Sequence, residues 1–225
     1  MILQNQTIRG VLFDLDGTLV DSAPDLGGAV NVMRVRRGLE ALPLAQLRPF
    51  SSHGARGLLK VGFNIDESCS EYLSMRDEFL ECYEQCATEK TCLFDGVTEL
   101  LDYLDQIKMP WGIVTNKYQR FTTPVVRALG LDQRAHIIVC GDTTAHSKPH
   151  PEPMLYAAQQ LRRAPEQLIY IGDDLRDMQA ARAANYKAAI AAGYGYADAA
   201  DIASWPADAS VHAPLELIKV LESVV

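Results

Sequence analysis

Cysteine is scarce in this 225-residue chain, and its five cysteines form no familiar pattern. Their number is odd, and no two of them have the CxxC spacing of the common zinc sites. Both facts argue against a disulfide framework and against a structural zinc ion. We therefore expect free thiols, as in proteins of a reducing cytoplasm, and a cytoplasmic location.

Long apolar runs and an excess of positive charge are also missing. No run approaches the roughly 18 apolar residues that span a bilayer. No charged, then apolar, then small-residue leader opens the sequence, so we expect neither a membrane partner nor secretion. The 21 lysines and arginines are outnumbered by 29 aspartates and glutamates, which leaves a net charge of −8 and argues against nucleic acid as a partner.

The second part of the chain alternates between strand and helix patterns. Apolar runs predict strands near residues 110–115, 137–141, 168–172 and 187–191, with helical periodicity between them. This alternation predicts an α/β fold, in which helices cover both faces of a parallel sheet. Because ligands of such sheets bind beyond the carboxyl ends of the strands, we expect the functional site there.

Two acidic residues follow the first apolar run of the chain. Asp14 and Asp16 come directly after residues 11–13, which read as a buried strand. Their side chains share one face while the chain stays extended, and Gly17 then lets the backbone turn away. Two carboxylates at the end of a buried strand cost free energy unless a cation lies beside them. The pattern favours a Mg²⁺ site with one carboxylate as nucleophile and the other as acid and base.

Four segments together resemble the motifs of a known superfamily. Residues 11–22, with the sequence VLFDLDGTLVDS, resemble the first motif of the phosphatase branch of the haloacid dehalogenase-like superfamily. Later predicted strands are followed by residues 115–116 (TN), 148–149 (KP) and 172–177 (GDDLRD), which resemble the second, third and fourth motifs in family order. The resemblance covers about residues 10–195 and implies a Rossmann-like core.

The resemblance implies a Mg²⁺-dependent phosphatase that acts through an aspartyl-phosphate. It implies that Asp14 is the nucleophile and that Asp16 is the acid and base. Thr115 and Lys148 would complete the catalytic set by binding phosphate oxygens. Asn116 would join Thr115 and Lys148 in binding the substrate.

The same resemblance implies a set of metal ligands. Mg²⁺ would be held by Asp14, by the backbone carbonyl of Asp16 and by Asp173. Asp174 and Asp177 would support these ligands from outside the coordination sphere. Waters and a substrate oxygen would complete an octahedron.

Residues from about 22 to 92 interrupt the alternating pattern and read as helical. An all-helical insertion after the first motif resembles the cap of this superfamily. We therefore expect a core domain of residues 1–20 and 93–225 and a cap domain of residues 21–92, with hinges at the two crossings. Closure of such a cap would exclude water from the site.

The substrate class follows from finer resemblances. The overall pattern resembles the phosphoglycolate phosphatase group, while the cap and residues 173–177 resemble bacterial N-acetylmuramic acid 6-phosphate phosphatases of cell-wall recycling. Both substrates carry a phosphate and a carboxylate, and Arg56 in the loop of residues 51–57 could bind either group bidentately. We expect a small phosphate ester as partner, phosphoglycolate first, and a monomer or homodimer. A sugar-phosphate mutase and a non-catalytic binding or scaffold member of the same fold are the alternatives.

Overall fold

Eight short strands are present in residues 8–222, which are the residues that this structure, a computed structural model, describes. Residues 1–7 and 223–225, which belong to the predicted core domain, lie outside the described residues. The strands are β1 (Gly10–Phe13), β2 (Val20–Asp21), β3 (Cys92–Leu93), β4 (Trp111–Val114), β5 (Ile138–Val139), β6 (Leu168–Gly172), β7 (Ala188–Ala192) and β8 (Ala209–Val211).

Ten α-helices and two short 3-10 segments connect these strands within the described residues. The 3-10 segments are Arg48–His53 and Pro165–Gln167. No helix of residues 8–222 is both long enough and apolar enough to cross a membrane. The helices are α1 (Ala23–Arg36), α2 (Leu44–Leu47), α3 (Gly54–Phe63), α4 (Tyr72–Cys86), α5 (Val97–Gln106), α6 (Gln119–Ala128), α7 (Glu152–Leu161), α8 (Leu175–Ala183), α9 (Ala199–Ile202) and α10 (Glu216–Glu222).

Six of the strands form one parallel sheet in the order β5-β4-β1-β6-β7-β8. Strand β1 is central, and every residue in it is buried, as expected for a sheet with helices on both faces. Its neighbours are β4 and β6, so the residues that follow these three strands lie side by side at one edge. The predicted α/β fold class is confirmed, and the strand ends that carry the motifs are adjacent.

A helical cap is inserted in the chain after β1 and before the other strands of the sheet. Helices α1 to α4 are enclosed by β2 and β3, which pair with each other in antiparallel orientation. The Asp25 carboxylate, at the start of α1, accepts hydrogen bonds from the backbone of Lys90 and from both the backbone and hydroxyl of Thr91. The entry to the cap is thereby joined to its exit.

The sequence pattern did not predict the β2–β3 pair or strand β8. The β2–β3 pair has only two residues on each side, which is too short for a period of two to be recognised. Strand β8 adds an edge to the sheet through its pairing with β7, but its three residues include one serine and one alanine. Tertiary pairing, rather than local pattern, determines these strands.

Candidate active site

Three aspartates converge beyond the carboxyl ends of β1 and β6. Asp14 follows β1, Asp173 follows β6, and Asp177 lies in the first turn of α8. All three are buried, and a carboxylate oxygen of each lies within 4.8 Å of the others. Oxygen-only donors of this kind suit a hard divalent cation such as Mg²⁺. The residues present therefore fit the predicted metal, and Asp177 belongs to the same cluster as Asp14 and Asp173.

The electrostatics of this cluster also favour a cation. Burial, together with the negative charges of Asp14 and Asp177, raises the pKa of Asp173 well above its usual range. Burial raises the pKa of Asp177 to about 7, with Lys148 opposing the shift and Asp14 adding to it. The cluster thus contains more negative charge than its lysine balances, and a divalent ion would relieve the repulsion.

Lys148 supplies the positive charge of the cluster. Its Nζ atom lies 2.9 Å from Oδ1 of Asp14 and 2.7 Å from Oδ1 of Asp177. It also donates hydrogen bonds to the Val114 carbonyl and to the Tyr170 hydroxyl, each at 2.9 Å. Burial alone would lower the pKa of Lys148, but the two carboxylates raise it above its usual value. A charged ammonium group is therefore held against the proposed nucleophile.

The residues of the second motif hold and flank this lysine. The Asn116 side chain donates to the Lys148 carbonyl at 2.8 Å and accepts from the Lys148 amide at 2.9 Å. These two bonds fix the Lys148 loop, in which the peptide bond to Pro149 is cis. Thr115 is buried at the end of β4, and its hydroxyl accepts a hydrogen bond from the Lys117 amide. The structure thus brings Thr115, Asn116 and Lys148 together as the motifs imply.

Asp16 is paired with a lysine that the sequence analysis did not identify. Lys117 Nζ lies 3.1 and 3.0 Å from the two carboxylate oxygens of Asp16, and the Ser22 hydroxyl donates to the same carboxylate. Lys117 is nearly buried and lies over the Tyr83 ring of cap helix α4. Burial would lower its pKa, yet the charge of Asp16 raises it. Its position three residues beyond β4, directly after the second motif, was the available signal.

Gly17 permits the close approach of the first and fourth motifs. Its φ of +84° is in the left-handed region, and a Cβ atom there would collide with the Asp173 carboxylate. Asp173 accepts hydrogen bonds from the Ser52 hydroxyl at 2.9 Å and from the Tyr196 amide at 3.1 Å. Ser52 belongs to the cap, so the cap touches a proposed metal ligand directly.

Asp174 contacts an arginine rather than the aspartate cluster. Its carboxylate caps α8 by accepting from the Arg176 amide, and it binds the Arg176 guanidinium through two bonds of 2.8 Å. Arg176 in turn donates to the Ser52 carbonyl of the cap at 2.6 Å. Asp174 therefore positions a bridge between core and cap, and the support of the metal ligands that the resemblance implied for it stays a prediction.

A second group of possible ligands lies in the loop after β5. His146 and His150 are exposed, and their rings stack with centroids 4.2 Å apart. Their Nδ1 atoms are both engaged with Glu152, the first with its carboxylate and the second with its amide. Since these donors serve the loop itself, the buried aspartates remain the better cation site.

A cavity of about 610 Å³ separates the cap from the core above these residues. Asp14, Asp16, Thr115 and Lys148 line its floor, and cap helix α4 contributes Phe79, Leu80 and Tyr83 to its wall. Arg56, which the sequence analysis proposed for substrate binding, is exposed on α3 and is not among the residues that line this cavity, although its neighbour Ala55 is. The role of Arg56 in binding stays a prediction. The arginines that line the cavity are Arg76, Arg120 and Arg176.

Comparison with known proteins identifies the family of this site. The family model for haloacid dehalogenase-like hydrolases matches residues 11–191, a range that includes every aspartate described above. The chain belongs to this family. The resemblance drawn from the four motifs is confirmed, and so is the fold that it implied.

Relatives of this haloacid dehalogenase-like hydrolase have nearly the same length. A phosphoglycolate phosphatase of Xanthomonas campestris pv. campestris is 46% identical over 211 residues, which are 93% of this chain and 94% of that protein. An N-acetylmuramic acid 6-phosphate phosphatase of Pseudomonas putida is 40% identical over 96% of this chain and 97% of that protein. A crystal structure of a predicted phosphoglycolate phosphatase from Haemophilus somnus matches with a TM-score of 0.83 and 25% identity, covering 96% of this chain and 98% of that one. The family and these relatives support an enzyme of the phosphoric monoester hydrolase class.

Proposed function

We propose that this hydrolase removes phosphate from a small carboxylated phosphate ester by transferring it first to Asp14, with Mg²⁺ as cofactor. The observation that carries the proposal is the 2.9 Å contact between Lys148 and Asp14, at the floor of a cavity and beside two further buried aspartates. Asp14, the backbone carbonyl of Asp16 and Asp173 would hold Mg²⁺. When bound, the ion neutralises the carboxylates and polarises the phosphate.

The first step is an in-line attack by a carboxylate oxygen of Asp14 on phosphorus. The bond from phosphorus to the ester oxygen breaks, and Asp16 donates a proton to the departing alkoxide. In the second step Asp16 takes a proton from a water molecule that attacks the aspartyl-phosphate. The bond between phosphorus and Asp14 then breaks, inorganic phosphate leaves, and Asp14 is restored.

The neighbouring residues position these two carboxylates and bind the phosphate. Lys117 and Ser22 hold Asp16 beside the cavity through three hydrogen bonds. Lys148 and the Thr115 hydroxyl are placed to bind the equatorial oxygens, where negative charge concentrates during transfer. Asn116 maintains the Lys148 loop through its two backbone contacts.

Two carboxylated phosphate esters are candidate substrates. Phosphoglycolate is the first, since relatives of that name share up to 46% of their residues with this chain. The cavity favours the second, N-acetylmuramic acid 6-phosphate. Its volume of about 610 Å³ is typical of pockets that bind ligands much larger than a two-carbon acid. The apolar side chains of Phe79, Leu80 and Phe121 in its wall can pack against the carbons of a sugar.

We also propose that residues 21–92 act as a cap over this reaction. Ser52 and Arg176 join the cap loop to the core beside the metal ligands, which supports closure over a bound ester. Closure would exclude water until the phosphoryl group has moved to Asp14. All five cysteines are unpaired, which supports the proposal of a cytoplasmic enzyme.

The experiment is an assay of phosphate release with p-nitrophenyl phosphate, phosphoglycolate and N-acetylmuramic acid 6-phosphate in parallel. We expect activity with Mg²⁺, loss of activity with a chelator, recovery when Mg²⁺ is restored, and no turnover by Asp14→Asn. The ratio of kcat/KM for the two carboxylated esters decides between the substrates. Full activity of Asp14→Asn would contradict covalent catalysis by Asp14, and release of no phosphate from any ester would contradict the function itself.

A further inference from the structure

Three arginines line the cavity, and two of them already have carboxylate partners. Arg176 is bound by both oxygens of Asp174 and by the Ser52 carbonyl. Arg76 donates two hydrogen bonds, at 3.1 and 2.7 Å, to the neighbouring Asp77. Arg176 thereby joins the core to the cap, while Arg76 pairs with an adjacent residue of α4. Arg120 is different.

Arg120 lies in the first turn of α6 and is exposed to the cavity. Within residues 8–222, no hydrogen bond or ion pair engages its guanidinium group. Its one described contact is with the ring of Phe121, whose centroid is 4.3 Å from the guanidinium carbon. Stacking of this kind supports the plane of the guanidinium and leaves its five N–H donors available at the edge. Arg120 is thus a supported but unpaired cation.

The charge of the whole molecule makes such a cation significant. The net charge of −8 opposes the approach of an anionic substrate, and the charge of Lys148 is already shared between Asp14 and Asp177. A second anionic group on the substrate needs its own local positive charge. A planar carboxylate matches the fork of an arginine, which can bind it through two parallel hydrogen bonds.

We propose that Arg120 forms the subsite for the carboxylate of the substrate, while its phosphate lies over Asp14 and Lys148. This inference rests on the proposed function and adds the residue that selects carboxylated esters. Because Arg120 and the catalytic floor line the same cavity, one molecule can contact both. Arg56, which the sequence suggested for this role, is not among the residues that line that cavity.

The test compares two sugar phosphates that differ only in the 3-O-lactyl group, which is the group that carries the carboxylate. N-acetylmuramic acid 6-phosphate carries a lactyl carboxylate that N-acetylglucosamine 6-phosphate lacks. The preference is the ratio of their kcat/KM values. In Arg120→Gln we expect this ratio to fall about 10- to 100-fold, mainly through a higher KM for the carboxylated ester, because a charge-assisted pair is lost. Arg120→Lys keeps the charge without the fork and should give an intermediate value.

Arg127→Gln is the matched control, because Arg127 is an exposed arginine on the same helix that does not line this cavity. Its preference ratio should stay within about twofold of wild type, where a tenfold change corresponds to about 1.4 kcal/mol. Inhibition by N-acetylmuramic acid gives a second measurement, and Arg120→Gln should weaken it about as much. An unchanged ratio in Arg120→Gln, or an equal loss with both sugars, would overturn the subsite. A wild-type enzyme that hydrolyses neither these sugars, nor phosphoglycolate, nor p-nitrophenyl phosphate would instead refute the proposed function.

Discussion

The ammonium group of Lys148 lies 2.9 Å from a carboxylate oxygen of Asp14, and both side chains are buried at the junction of β1 and the loop after β5. The same ammonium group lies 2.7 Å from Asp177. One lysine therefore balances two carboxylates, and its removal would leave negative charges facing each other in a region of low dielectric constant.

Replacement of this lysine tests its two functions together. Lys148→Met should lower kcat by at least about 10²–10³-fold, since one donor to the transferred phosphoryl group is lost. It should also lower the free energy of unfolding in metal-free buffer by about 3–5 kcal/mol, measured by urea denaturation. Adding Asp177→Asn to Lys148→Met removes one of the buried carboxylates left without a cation, and it should restore part of the stability without restoring activity. Equal urea midpoints for wild type and Lys148→Met would contradict the charge balance described here.

Metal binding should be visible without any substrate. Mg²⁺ should raise the melting temperature, because the ion stabilises Asp14 and Asp173 in the folded state only; at about 100 times its Kd the gain is about 2.7 kcal/mol. Asp173→Asn should remove most of this shift. Asp198→Asn is the control: it changes an exposed carboxylate whose side chain makes no hydrogen bond to the start of α9, and it should leave the shift in melting temperature intact. A Mg²⁺ shift that survives in Asp173→Asn would place the ion elsewhere.

The contact between Gly17 and Asp173 predicts the effect of adding one methyl group. Gly17→Ala forces a side chain into the left-handed region, at a cost of about 1–2 kcal/mol, and displaces the Asp173 carboxylate. We expect weaker Mg²⁺ binding in calorimetry as well as lower stability. Gly28→Ala is the control, because Gly28 lies in α1 with open space around it. This variant of the protein should be slightly more stable than wild type. Wild-type Mg²⁺ affinity in Gly17→Ala would refute the steric argument.

The connection between the two ends of the cap depends on Asp25. Its buried carboxylate accepts hydrogen bonds from Lys90 and Thr91, so Asp25→Ala should lower the free energy of unfolding by about 2–3 kcal/mol. Thr91→Val removes the hydroxyl bond alone and should cost about 1 kcal/mol. Limited proteolysis should then cleave Asp25→Ala faster near residues 87–92. If both variants resist urea and protease as wild type does, the cap is held by other contacts.

Sequence patterns predicted the strands that carry the site because buried parallel strands are continuous apolar runs. Strands β1, β4 and β6 are of this kind, and the motif residues follow each of them directly. Their convergence could be expected from topology alone. The pairing of Lys117 with Asp16 could not, because it depends on how two loops approach each other and on a tyrosine of the cap.

The cap side of the site was harder to predict for the same reason. A helical insertion was recognisable, yet its periodicity does not tell which residues face the core. Arg56 and Arg120 both lie near the start of a helix, yet Arg120 lines the cavity and Arg56 is not among the residues that do. The set of residues that faces the cavity therefore depends on tertiary packing, which the sequence pattern does not report.

The stereochemical course at phosphorus tests covalent transfer to Asp14 most directly. A phosphate ester made chiral with oxygen isotopes would be hydrolysed in isotopically labelled water, and the configuration of the released phosphate would be determined. Two successive in-line displacements, the first by Asp14 and the second by water, predict overall retention of configuration. Inversion would mean that water attacks the ester directly, and it would contradict the account.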